Sequence, residues 1–376
     1  MFGMEAMSQL TRELLDDTGI EKGEIDGLVI QGTMESPMFA PSAVAEYLRI
    51  QSNFNEVVDL GGATAAGMIW RAAAAVQLGL CECVLVLVPS VPPPPQPQGG
   101  GMGNKMVMPA YLGGDAWGSP QGQFEIPAGL VAATPSFAMV ASRYMDRFGV
   151  TEETLAKVAV DERFNAQANP DAMFFGKPID VQDVMESRYI ADPLKLLEIV
   201  MPCFGGGGVI VTTRERAERT PHRPALVTGF GERLTHKSIT YAPDLLETPI
   251  RHAAETAFRM AGAERKAVDY AGIYDCYTIT VAITIEDAGF CGKGEGGAFI
   301  DEHDLTYKGD WPLNTHGGQL GMGQGGSAGG LSHLTEAVRQ IQGRAGDRQL
   351  PKCDLAYANG TGGMLAEQVA VILEGA

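Results

Sequence analysis

Apolar residues recur at helical spacing from Gly3 to Thr18, and Gly19, free to take the left-handed backbone of a C-cap, ends that helix. The pattern then changes. Residues 25–30 are short and β-branched, and residues 57–60 repeat that character just before the glycine-rich turn Gly61-Gly-Ala-Thr-Ala-Ala-Gly67. Residues 68–78 read as an alanine-rich buried helix and residues 83–88 as a hydrophobic strand, so the pattern predicts a βαβ unit around a tight turn.

Residues 89–123 break this rhythm with a proline run and a glycine- and methionine-rich tract, the kind of irregular insertion that serves as a lid, a binding loop or a contact arm, or simply as a surface loop. Helical spacing returns over 135–170, with Ser136 as its expected cap. Residues 180–197 read as a short strand followed by a helix start, and a strand over 209–213 follows four consecutive glycines. Beyond that the same logic repeats: strand 225–230, helix 249–261, strand 271–275, helix 278–288, a glycine-rich stretch 317–330, helix 331–342, and closing strands 355–357 and 369–373. Two alternating halves, each with a glycine turn feeding an apolar helix, predict a layered α/β fold built by pseudo-duplication. The expected boundaries are residues 1–215, with an insertion at about 89–200, and residues 216–376.

Composition narrows the function. A chain that is 45% apolar and 20% charged buries a large core, and a net charge of −18 argues against nucleic-acid binding, which needs clustered Lys and Arg. The six cysteines are dispersed and form no CxxC pair, as expected of reduced thiols. Cysteine and histidine spacing matches no zinc pattern, so no metal is expected, and the 205–208 glycines lack the Lys-Ser/Thr of a phosphate loop. Charged Glu5, Arg12 and Glu13 fit no signal peptide, and no apolar run is long enough to span a membrane; the expected compartment is the cytoplasm.

Several segments, in order along nearly the whole chain, resemble the thiolase superfamily, and within it the sterol-carrier-protein-type thiolases and their lipid-transfer-protein relatives. Residues 61–87 are similar to the segment that carries the nucleophile and its helix. The stretch Ser187-Arg-Tyr-Ile-Ala-Asp-Pro-Leu194 is similar to a mid-chain signature, and Tyr274-Asp-Cys-Tyr277 to a His-Asp-Cys-Phe loop. Asn314-Thr-His-Gly-Gly318 resembles an Asn-x-x-Gly-Gly motif with its following helix.

What the resemblance implies about chemistry is mostly loss. Thr64 stands at the cysteine nucleophile, and a threonine hydroxyl attacks poorly without an adjacent base. Gln324 replaces the Gly-His-Pro histidine, Tyr274 replaces the loop histidine, and near Gly362 the second cysteine is absent, with Asn359 the nearest match. An acyl-enzyme is therefore not expected. The thioester pocket survives such losses, because glycine turns and helix N-termini supply N–H donors to an enolate oxygen. The enolate of a retro-aldol cleavage needs only a base and an acid. Some lipid-transfer-type relatives lacking the cysteine are steroid side-chain aldolases that use tyrosines and pair with a small OB-fold/zinc-ribbon protein, so the resemblance implies that reaction class and partner here.

The expected proton-handling residues are Tyr274, Tyr307 and Tyr357, with His316, Lys308 or Lys293 available to favour a phenolate; the expected substrate-binding set is Thr64, Asp275, Asn314, Gly317, Gly318, Gln324 and Gly362. The remaining histidines, His333 among them, read as structural or solvated. No covalently bound cofactor is expected, with coenzyme A arriving as part of the substrate. By resemblance the subunits pair as a homodimer and add the partner as a heterotetramer. Two other classes stay open: a non-catalytic subunit that binds acyl-CoA, and an acyltransferase using Thr64 or Cys276.

Overall fold

The computed structural model describes residues 2–33, 36, 38–92 and 121–376, so most of the proline- and glycine-rich 89–123 tract lies outside the described residues. Strand β3 (Cys83–Val88) explains the architecture in miniature. All six side chains are buried, but strand alternation sends Val84, Val86 and Val88 into one core and Cys83, Leu85 and Leu87 into another. The second core lies against α1 (Gly3–Thr18) and α2 (Ala40–Leu48). The first lies against two helices, α3 (Thr64–Gln77) and the later α11 (Gly329–Ile341).

Around β3 the first sheet runs β2-β1-β3-β6, with β1 (Gly27–Ile30) and β2 (Phe54–Val57) parallel to it and β6 (Gly207–Thr212) antiparallel. The second sheet runs β7-β10-β9-β8, from β7 (Ala225–Leu234), β8 (Tyr270–Gly272), β9 (Leu355–Gly362) and β10 (Glu367–Gly375). Its Ala356, Ala358, Val369, Val371 and Leu373 pack onto α3 and α11 from the other side. Both helices are thus sandwiched between sheets. That placement is why α3 is built from alanine: a helix covered on every side admits the two sheets only if its side chains are small. The outer face of the second sheet is covered by α4 (Ala133–Phe148), α5 (Glu152–Ala166), α8 (Ile250–Ala261) and α9 (Thr278–Asp287), which with Tyr357, Ala370 and Ile372 make the largest core.

The structure corrects several expectations. The 135–170 helix is two, broken where Gly149 adopts a left-handed φ of 69° as the cap of α4. Ser136 is not a cap but a buried residue inside α4, which starts at Ala133. The order over 180–197 is reversed. Asp180 caps α6 (Val181–Glu186), accepting from the Asp183 N–H at 2.9 Å, and the short hairpin of β4 (Tyr189–Ala191) and β5 (Leu194–Lys195) follows. The strand expected at 57–60 lies three residues earlier, because residues 58–60 already turn toward α3.

Candidate active site

The turn Gly61–Ala63 is where the two middle helices begin. Leu60 to Thr64 leads directly into α3, while Gly330 in the first turn of α11 is so close that a Cβ there would sit 2.4 Å from the Gly62 carbonyl oxygen. The end of β9 closes the third side: a Cβ on Gly362 would meet the Leu60 carbonyl oxygen at 2.0 Å. Two helix N-termini meeting at one bare turn favour negative charge developing there.

Tyr274 brings its hydroxyl to this turn. The residue is buried, its backbone N–H donates to Asn359 Oδ1 at 3.0 Å, and a side chain on Gly62 would collide with the phenolic oxygen, the Cβ lying 2.2 Å away. Gln324 meets the same oxygen, its Nε2 donating at 3.1 Å. Gln324 is carried there by backbone ties to a neighbouring segment: its N–H donates to the Met201 carbonyl and its carbonyl accepts from Cys203, both at 2.9 Å. Three of the expected residues, Thr64, Tyr274 and Gln324, are therefore brought to one place.

Thr64 is not a free nucleophile. Its hydroxyl donates to the Gly61 carbonyl at 2.6 Å and accepts from the Leu60 N–H at 3.0 Å, so it closes the turn that begins its own helix. Cys276 does not substitute for it. Cys276 is buried, and burial followed by the charge of Asp275 pushes its thiol far above the ordinary range.

Beneath Tyr274 lies a buried polar network. Asp275 has no exposed surface, and its carboxylate accepts from Leu320 N–H at 2.9 Å, Gln319 Nε2 at 3.3 Å and His333 Nε2 at 3.1 Å, while the Glu162 carboxyl lies beside it across Gly318. Burial by itself raises the pKa of Asp275, but the hydrogen bonds from His333 and Glu162 outweigh it and hold the group below the usual carboxylate range. Glu162 goes the other way: burial, then the neighbouring charge of Asp275, lifts it well above that range. Asn314, in a left-handed conformation at φ 45°, donates to Glu162 Oε1 at 2.7 Å and to the Ile273 carbonyl at 2.8 Å, and accepts from the Ile273 N–H at 3.0 Å.

These contacts correct part of the expected substrate-binding set. Asp275 and Asn314 are spent on protein groups. Gly317 packs on Ala166, where a Cβ would come within 2.7 Å of that methyl, and Gly318 on the Asp275 and Glu162 carboxyls. All four lie below the site rather than on its wall. His316 is buried too. Ser332 uses its proton on the Gly329 carbonyl at 2.7 Å, so the 3.0 Å contact is donated by His316 Nε2. Burial, then His333, depresses its pKa, so it is neutral and brings no cation to a phenolate.

The other two tyrosines are elsewhere. Tyr357 points into the outer core, stacked on Phe258 at 5.8 Å and edge-on to Phe290 at 5.2 Å, and its hydroxyl finds no partner among the described residues. Burial pushes that phenol well above its ordinary range, the opposite of what a base at neutral pH requires. Tyr307 stacks on the half-exposed Phe164 at 5.8 Å with Lys308 over its ring at 5.4 Å, and its backbone is held by Asn165 Oδ1 at 2.8 Å. Lys293 is engaged with Glu286 and Asp287 at 3.0 and 3.1 Å. Sequence reasoning missed Glu162 and His333. Glu162 was detectable: it falls three, four and seven residues after Ala159, Val158 and Leu155, on the buried stripe of α5.

The architecture, two sheets around two buried helices whose N-termini share the site, is that of thiolases. Residues 231–375 match the family model of the thiolase C-terminal domain-like proteins. The chain is 32% identical, over 92% of its length and 87% of the relative's, to the steroid side-chain-cleaving aldolase of Thermomonospora curvata. The chain belongs to the thiolase superfamily, in its sterol-carrier-protein-type, lipid-transfer-like branch, without the catalytic cysteine. It is also 31% identical, over 88% of its length and 84% of the relative's, to the 17-hydroxy-3-oxo-4-pregnene-20-carboxyl-CoA lyase of Mycobacterium tuberculosis. Among solved structures it superposes on the Ltp2-ChsH2(DUF35) aldolase with a TM-score of 0.85, at 27% identity, covering all of this chain and 93% of that one. No described helix is long and apolar enough to cross a membrane.

Proposed function

We propose that this protein is a carbon–carbon lyase that cleaves a β-hydroxyacyl-CoA with a bulky, steroid-like acyl group by a retro-aldol reaction, with Tyr274 handling the proton. The observation that carries the reading is the pairing of Tyr274 with Gln324 at the turn where a thiolase holds its cysteine. A hydrogen bond donated to the phenolic oxygen favours charge on it. Tyr274 takes the β-hydroxyl proton; the Cα–Cβ bond breaks, its electron pair flowing into the thioester as an enolate while the β-carbon leaves as a ketone or aldehyde. The enolate oxygen faces the N-termini of α3 and α11, and the proton held on Tyr274 returns to the enolate carbon. Atoms and charge balance without a covalent intermediate, in keeping with a Thr64 hydroxyl that is tied into its own turn.

The aldolase and lyase relatives support the same reaction, and the superposition on the Ltp2-ChsH2(DUF35) aldolase supports a DUF35-type partner; in our reading that partner is a small OB-fold/zinc-ribbon protein that joins a homodimer of this chain as a heterotetramer. Coenzyme A enters as part of the substrate. The test is direct: protein copurified with such a partner is given a 3-hydroxyacyl-CoA bearing a steroid-like side chain, and products are read by mass spectrometry. Release of a carbonyl product and a shortened acyl-CoA, abolished in Tyr274→Phe with thioester binding retained, is the expected result. Undiminished turnover in Tyr274→Phe removes the assignment, and thioester binding without turnover under any partner combination makes the chain a scaffold subunit.

A further inference from the structure

We infer that Glu162, Asp275 and His333 form one buried positioning unit, held together by a proton on Glu162, that fixes Tyr274 and Gln324 against each other. The inference rests on the retro-aldol reading for its kinetic consequence, though not for the location of the proton.

The Asp275 carboxylate ties together three separate segments. Asp275 follows Tyr274 in the chain. Its Oδ2 holds the Leu320 N–H in the turn 318–322, which runs straight into Gln324, and its Oδ1 holds His333 on α11. That same helix presses Gly330 on the Tyr274 ring, a Cβ there meeting Cε2 at 3.3 Å, and the His333 ring lies edge-on to Tyr274 at 6.1 Å. One carboxylate therefore joins the three segments that carry the phenol, its amide donor and a helix N-terminus. Gln319, His333 and Glu162 around it have no exposed surface.

Glu162 completes the knot only if protonated. Its Oε1 accepts from Asn314 at 2.7 Å, while Oε2 receives no donor and faces Asp275, both oxygens crowding the point where Gly318 would have a Cβ, at 2.5 and 2.4 Å. Two bare carboxylates in that position repel, whereas an acid beside a carboxylate forms a short, strong hydrogen bond. Gly318, at φ 58°, is what lets the carboxyls approach. Glu162 and His333 thus touch no reacting atom, and act through Asp275.

The discriminating substitution is Glu162→Gln, since an amide N–H donates to Asp275 as the acid does, and Glu162→Ala, which leaves Asp275 short of a donor. Expected is a kcat for Glu162→Gln within about three-fold of wild type, and a fall of about 100-fold for Glu162→Ala with KM nearly unchanged, the scale of an ångström-sized misplacement of a catalytic group. His333→Gln and His333→Ala should split in the same way. An independent readout is the infrared difference spectrum of wild type against Glu162→Gln at neutral pH, which should show the carbonyl stretch of one protonated carboxylic acid. Absence of that band overturns the proposal, as does a Glu162→Gln variant that folds and yet loses as much kcat as Glu162→Ala. Where Glu162→Ala does not fold, the Gln variant and the infrared band decide. A wild-type protein without lyase turnover refutes the retro-aldol reading alone; the band, and the Tyr274 to Gln324 separation in a crystal of Glu162→Ala, then test this unit without turnover.

Discussion

Replacing Tyr357 by phenylalanine separates two assignments that a sequence motif cannot. The hydroxyl is fully buried, has no partner among the described residues, and is enclosed by Phe258 and Phe290. A buried, unsatisfied hydroxyl costs about 1–3 kcal/mol relative to one that water can solvate, so deleting it relieves that cost while leaving the ring packing intact. For 376 residues, an unfolding entropy of about 2.1 cal/mol/K per residue gives about 0.8 kcal/mol/K, and the relief becomes a rise in Tm of about 1–4 °C. The assay is thermal unfolding of Tyr357→Phe beside wild type, together with kcat for lyase turnover in the presence of the partner. Equal kcat with a raised Tm is the expected pair. A kcat lower by about ten-fold or more in a folded variant places Tyr357 in the chemistry, and a lowered Tm shows that the hydroxyl has a partner; either result refutes the reasoning.

Gly62→Ala should cost about 1–3 kcal/mol in urea unfolding and most of the turnover, because its Cβ falls 2.2 Å from the Tyr274 hydroxyl and 2.3 Å from the Thr361 carbonyl; a silent variant means the turn is looser than described. Gln324→Leu, which keeps the bulk but removes the N–H donor, should lower kcat by about 10²-fold at nearly constant KM, and unchanged kcat removes Gln324 from the mechanism. Thr64→Val leaves the Leu60 N–H unpaired and should lose about 1–2 kcal/mol of stability, while wild-type protein incubated with acyl-CoA shows no acyl adduct by intact mass. Glu162 binds its proton more tightly folded than unfolded, so its stabilisation is complete below the free carboxyl value of 4.5 and declines as pH rises toward its raised folded value; Glu162→Gln should flatten that decline in a Tm-against-pH series.

Elements with a single strong period were legible from the chain. The apolar run of β3 and the alanine helix α3 read correctly because burial on both sides leaves β3 no polar position and α3 few, chiefly Arg71 and Gln77. The 180–197 segment failed for the opposite reason: the capping residue Asp180 and its partner Asp183, not hydrophobic period, decide where that helix starts. Helix α2 was missed, its run Ala40-Pro-Ser-Ala-Val-Ala-Glu-Tyr-Leu48 burying only Ala40, Val44 and Leu48. Thr64, Tyr274 and Gln324, each singled out by its place in a motif, come together at the 61–63 turn. Tyr357 misled because a motif position fixes the strand but not which face carries the side chain, and alternation along β9 turns it outward. His333 looked ordinary, since its partner lies 58 residues earlier in sequence and only the fold brings Asp275 to it.

The turn at Gly61–Ala63 is bounded by residues from the beginning, the 270s, the 320s and the closing strands of the chain. Up to residue 354 the chain holds the phenol, its amide and both helices, but not the Gly360 to Gly362 edge that presses on the turn. The turn therefore takes its shape from a strand that lies about 300 residues further along the chain.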